Sequence, residues 1–285
     1  PPAVALAVQQ HYQPRGADDD LPSSDAGALV ALAERLELLL SIFAKGERPT
    51  GSSDPYALRR AGNGILQILW ERSWRLDLHE LLQQASRQWA ALLPNFAIDV
   101  VQLQADLEEF LRQRLISQLE EQGEAIDLVQ AVTAESANQR LLQDPLDAMD
   151  RLRLLQQLRL AGELAAVQAV VQRAVRLAEK GDLDADVLSS SGVVDAALFE
   201  QPSEDAMLAV VDQLSGIVSQ HGPDRYSQLC EALAASASTL SAFFDGESSV
   251  MVMADDLAVR RNRLNLLAVL GNQAAILADF AAISG

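Results

Sequence analysis

Along most of the chain apolar residues recur at spacings of three and four, the period of helices that bury one stripe and show the opposite face to water. Residues 1–12 and 26–45 read as two such helices joined by a polar, turn-rich segment, 14–25. In the second helix Leu29, Leu32, Leu36, Leu39 and Phe43 fall on one side and are expected to be buried. Asp54 followed by Pro55 offers an N-cap and a first-position proline, so a helix is expected from there to about Trp70. Asp77 and Glu80 have capping-box spacing and open a helix that stops before Pro94, near which a domain boundary is placed.

From Asp99 a long pattern (Val100, Leu103, Leu107, Phe110, Leu111, Leu115, Leu119) ends at Gly123. Another runs from Pro145 to Lys180 with Gly162 inside it, which predicts either one kinked helix or two. Residues 182–202 read as a loop anchored by the apolar turn from Val194 to Phe199. Helices resume over 203–220 and 223–240. A last one starts near Asp255-Asp256, with Leu264, Leu267, Leu270, Ala274 and Leu277 on one face. No fixed period marks a solenoid.

Composition narrows this to an all-α class with two helical domains: 49% of the 285 residues are hydrophobic but only 5% aromatic. Charged and amide residues break every apolar run well short of the roughly 18 positions a membrane helix needs. The opening Pro1-Pro2-Ala3-Val4 lacks the basic and apolar regions of a signal peptide and runs straight into a helical pattern, as expected of a stretch cut from a longer chain. Cys230, the one cysteine, sits in an apolar run and suits a reduced, cytosolic core position. The net charge of −18 opposes non-specific binding to a polyanion. Residues 1–97 carry 9 basic against 11 acidic residues, and 98–285 carry 13 against 29, so an RNA contact in the second part has to be a local patch.

His11, His79 and His221 are far apart, with no H-x-x-x-H and no C-x-x-C, and no phosphate-binding glycine loop or nucleophile elbow occurs. Arginine is what remains. Arg260, Arg261 and Arg263 form the tightest basic cluster of the acidic part, and Arg173 and Arg176 lie three apart on another helix, so both sets suit phosphates or bases. A competing expectation is that Asp256 pairs with Arg260 four residues on and makes part of the cluster a solvated, salt-bridged face.

Two motifs are family-specific. His11-Tyr12-Gln13-Pro14-Arg15, with Leu21-Pro22 and the run from Pro49 through Asp54-Pro55-Tyr56-Ala57-Leu58-Arg59-Arg60-Ala61, resembles the HD-like domain of glycyl-tRNA synthetase β subunits. Phe243-Phe244-Asp245, the run Val250 to Asp256, Arg260-Arg261-Asn262-Arg263-Leu264-Asn265-Leu266-Leu267 and Ala278-Asp279-Phe280 resemble the terminal signature of that family's anticodon-binding domain.

The resemblance implies that residues 1–97 are the remainder of an HD-like helical domain, truncated on its N-terminal side. Residues 98–285 are then a helical bundle similar to the anticodon-binding domain of arginyl-tRNA synthetases. It also implies a division of labour in the cytoplasm: the α subunit activates glycine with ATP and Mg, while this part, without cofactor, metal or catalytic residue of its own, recognises tRNA-Gly. Contacts are expected first from Arg260, Arg261 and Arg263, then Arg173 and Arg176, with Arg59 and Arg60 in the HD-like motif. The alternatives are a helical scaffold that docks the α subunit without binding tRNA, and a working HD phosphohydrolase.

Overall fold

The computed structural model describes residues 1–16, 19–123, 125–134, 138–222 and 224–284. The fold is all-α, as the periodicity predicts, and no named strand occurs among the described residues. The helices are α1 (Pro2–Gln10), α2 (Asp25–Ala44), α3 (Leu58–Glu71), α4 (Leu78–Leu92), α5 (Val100–Glu121), α6 (Ile126–Val132), α7 (Asn138–Gln143), α8 (Pro145–Ala161), α9 (Leu164–Ala178), α10 (Pro202–Val218), α11 (Asp224–Ala235), α12 (Ala237–Phe244) and α13 (Leu257–Ala275). Contacts divide the chain into two compact units, Pro1–Ala125 with Glu135–Met149, and Ile126–Ala134 with Asp150–Gly285. These ranges differ from 1–97 and 98–285 because α5 packs on α2, α3 and α4 and completes the first core.

In the first unit α2 is central, packed by α1, α3 and α5. Its buried face differs from the expected stripe: Leu29 is 59% exposed, and Ala28, Ala31, Arg35, Leu39 and Phe43 point inward. Small residues let the neighbouring helices approach, and Ala28 and Ala31 meet Ile68, with Leu21, Leu32 and Trp74 packed around them. Arg35 is only 5% exposed. Its Nη1 donates to the carbonyls of His11 (3.1 Å) and Ala31 (2.9 Å), and its Nη2 to those of Tyr12 (3.2 Å) and Pro14 (2.9 Å). It thereby ties the segment after α1 to the core. Gly64 makes room for it, since a Cβ there would stand 2.5 Å from Arg35 Nε.

The third helix starts later than Asp54-Pro55 suggests. Ala57 adopts a left-handed conformation (φ 55°), and the Asp54 carboxylate reaches forward to the amides of Leu58 (2.8 Å) and Arg59 (2.9 Å). Asp54 still satisfies orphan helix donors, but across a turn that periodicity does not encode. Asp77 caps α4 by accepting from Glu80 N, whereas the Glu80 side chain accepts from Gln84, so only half of the capping box forms. His79 sits 2.9 Å from Glu108 Oε1.

In the second unit α13 packs against α9 and α10 and is buried on nearly every side, with Asn262 to Gly271 an unbroken buried run. Gly162, at φ 76°, ends α8 and makes the 145–180 pattern two helices. The 223–240 pattern is also two helices, α11 and α12, broken at Ser236, and residue 223 lies outside the described residues. Arg151, 1% exposed, donates from Nη1 to the carbonyls of Val132 (3.2 Å) and Leu277 (3.0 Å), and Arg159 makes a bidentate pair with Asp127. Cys230 is buried, and burial pushes its thiol up to about 12, so at neutral pH it is a protonated core residue rather than a nucleophile.

Candidate nucleic-acid interface

Five of the expected contact residues lie in the second unit, and their surroundings divide them. Arg263 is 2% exposed. Its Nε donates to Glu204 Oε1 (2.8 Å), its Nη2 to Glu204 Oε2 (3.1 Å) and Glu200 Oε2 (2.8 Å), and its Nη1 to the Met251 carbonyl (3.1 Å). Glu204 itself is fully buried and also accepts from the backbone amides of Glu200 and Gln201. Burial pulls the Glu204 carboxyl upward, but the hydrogen bonds from Arg263 and those amides outweigh it, so it titrates below its ordinary value. Hydrogen bonding to Glu204 raises Arg263 correspondingly. With these donors committed inside the protein, Arg263 holds α13 to the start of α10 and is not an RNA-facing residue. The sequence reading missed this because Glu204 lies 59 positions away.

Arg173 is half-exposed on α9, forms a bidentate ion pair with Asp245 and lies 4.5 Å from the centre of the Phe244 ring. Arg260 donates from Nε to the Ala254 carbonyl (2.7 Å). The expected Asp256–Arg260 pair is absent among the described residues: Asp256 is the N-cap of α13 and accepts from Ala258 N and Val259 N. A carboxylate turned back on the first-turn amides does not reach a guanidinium one turn on. Arg261 is open, its only ion pair among the described residues being a 3.2 Å contact to Asp182 with both side chains about 70% exposed. Arg176 is exposed and forms no ion pair with a described residue. Of these five residues Arg176 and Arg261 are therefore the open ones, with Arg173 and Arg260 partly engaged.

The other two expected residues lie in the first unit. Arg59 donates from Nη2 to the Gly51 carbonyl (2.7 Å), whereas Arg60 is exposed. Both line a cleft of about 370 Å³ with Asp54, Asn63, Gln67 and Gln118. Arg59 also borders a second cleft with Arg48 and Arg114. Burial, and then the charge of nearby Arg59, lowers Arg114 from its ordinary value.

A row of amides on α13 escaped the sequence reading. Asn262 exchanges two hydrogen bonds with the Asp195 backbone (2.7 and 2.9 Å), and Asn265 donates to the Val193 carbonyl (2.7 Å). Asn272 donates to Asp184 and Val187, and Gln273 to Leu188 and Val211. These amides pin residues 184–195, which have no ladder of their own. Four carboxamides on one helix that also carries the Leu264, Leu267, Leu270 stripe were the available signal, because buried amides demand partners that a neighbouring irregular segment can supply.

Fold and site thus define an all-helical protein with a few open arginines on an acidic body and, among the described residues, no group of three or more His, Cys, Asp or Glu placed to hold a metal ion. Residues 1–134 match the family model described as glycyl-tRNA synthetase beta subunit. The chain is 44% identical to the glycine–tRNA ligase beta subunits of Acaryochloris marina (290 residues) and Picosynechococcus sp. (286 residues), in each case over 99% of this chain and 40% of the relative. It is 34% identical to that of Syntrophotalea carbinolica, over 99% of this chain and 38% of the relative. The chain belongs to the glycyl-tRNA synthetase β-subunit family and spans about 40% of the length of the relatives it matches, a C-terminal portion of them.

Proposed function

We propose that this stretch engages tRNA-Gly, its second unit taking the anticodon arm and its first unit the tRNA body, while an α subunit carries ATP, Mg and the ligation chemistry in the cytoplasm. The observation that carries the reading is the coincidence of near-complete alignment with glycine–tRNA ligase β subunits and open guanidinium groups at Arg176 and Arg261. Single-stranded bases expose stacking faces and hydrogen-bonding edges that a helical bundle can read, and arginine serves both base and phosphate. Against a net charge of −18, binding has to be local and strongly salt-dependent.

A filter-binding titration of the chain with tRNA-Gly and a non-cognate tRNA at several salt concentrations tests this. Tighter cognate binding that falls in the Arg176→Ala/Arg261→Ala double variant supports it, and equal, weak binding throughout refutes it. The clamping of Arg263 and Arg173 by carboxylates favours a second reading, a scaffold that docks the α subunit. Co-elution with the α subunit, without tRNA affinity, would select it.

A further inference from the structure

We infer that the cleft between α13 and the pinned 184–195 segment is a pocket for one unstacked nucleobase, with Asn265 and Arg261 as its recognition residues. The inference rests on the tRNA reading above and names the part of the RNA that this site takes. The cleft is about 660 Å³, within the range of roughly 300–1,000 Å³ usual for small-molecule-sized sites. Its walls are apolar at Leu183, Val193, Val194, Leu198 and Ala258, and its polar groups are Arg261, Asn262, Asn265 and Asp195.

The charge balance selects the ligand. Arg261 and Asp195 both line the cleft and Asp182 pairs with Arg261, so one cation stands against two carboxylates and the site does not favour a bare anion. A neutral ring with a hydrogen-bonding edge fits better. Its faces would rest on the valine and leucine side chains, and its edge would meet a carboxamide.

Asn265 supplies that carboxamide. It is 8% exposed, its Nδ2 is fixed by the Val193 carbonyl, and its Oδ1 takes no hydrogen bond from a described residue. The geometry is preorganised, since Asn262 and Asn265 hold the loop that forms the opposite wall. Arg261 can leave Asp182 at little cost, because an ion pair this exposed adds little stability, and lay its plane on the base or reach the adjoining phosphate.

Ala258→Trp tests the inference, because Ala258 is an exposed first-turn residue that lines the cleft and whose side chain makes no hydrogen bond, so the indole fills the pocket without breaking the loop's ties. The probes are tRNA-Gly transcripts carrying abasic nucleotides in one loop at a time, bound to the chain at fixed salt, with thermal melting as the check on folding. The unsubstituted chain should bind the transcript lacking the inserted base roughly tenfold or more weakly than intact tRNA-Gly. In Ala258→Trp that difference should vanish while the dependence of affinity on salt persists. Tight cognate binding with no sensitive loop, or with full discrimination retained in Ala258→Trp, overturns the pocket and leaves the tRNA reading standing. Failure of the unsubstituted chain to prefer tRNA-Gly over non-cognate tRNA overturns both.

Discussion

Two buried arginines, Arg35 in the first unit and Arg263 in the second, solve the same electrostatic problem differently. Arg35 in the first unit is surrounded by four backbone carbonyls, and its nearest carboxylate, Glu34, is 3.6 Å away and substantially exposed. Burial lowers its pKa, with only a partial offset from Glu34. Arg263 in the second unit is met by two carboxylates, one fully buried, and is raised. Dipoles hold a chain segment in place around Arg35, whereas opposite charges join two helices at Arg263. A buried guanidinium held by carbonyls leaves no charge behind when removed, but one held by a buried carboxylate does.

The largest effect that sharpens this contrast is expected at the ion pair. Arg263→Met should destabilise the second unit by about 3–5 kcal/mol because Glu204 is left charged and buried. Adding Glu204→Met should recover much of the loss, read as non-additivity in a denaturant-unfolding double-mutant cycle. Additive losses would mean the pair does not couple.

Arg35→Met should cost less, about 1–3 kcal/mol, by leaving the carbonyls of His11, Tyr12 and Pro14 without this donor. Faster amide exchange confined to α1 and that segment would mark it. An Arg35 effect equal to that of Arg263, and equally relieved by a second substitution at Glu34, would break the comparison.

The smallest effect concerns pH. Glu204 is depressed, so its contribution to stability is present above its unfolded pKa of about 4.3 and is lost as pH falls through the lower folded value. Thermal unfolding of the second unit between neutral pH and pH 3 should therefore fall less steeply in the Arg263→Met/Glu204→Met chain than in the unsubstituted one, whereas Arg35→Met should leave the slope unchanged.

Much of the fold was legible because the relevant signals are local. Asp77, Asp99 and Asp256 cap their helices where the sequence places them, and Gly162 breaks the 145–180 pattern at the expected position. The misreadings are non-local. Leu29 sits on the periodic stripe but outside the core, because α1 and the Arg35 clamp set which face of α2 turns inward. The start of α3 depends on the left-handed Ala57, and the unit boundary depends on what α5 packs against. At the candidate interface, charge clustering found Arg176 and Arg261 but could not separate them from Arg263, whose partners come from another helix. Asn262 and Asn265 were overlooked because amides carry no charge signal.

In the proposed reading neighbouring arginines of α13 have opposite jobs, Arg263 holding the fold and Arg261, with Arg176 on α9, meeting RNA. The affinity of the Arg176→Ala/Arg261→Ala chain for tRNA-Gly, measured well below its melting temperature, tests it most directly. An unchanged melt with clearly weakened binding and a shallower dependence on salt is the predicted result. Unchanged affinity and an unchanged salt slope would contradict it.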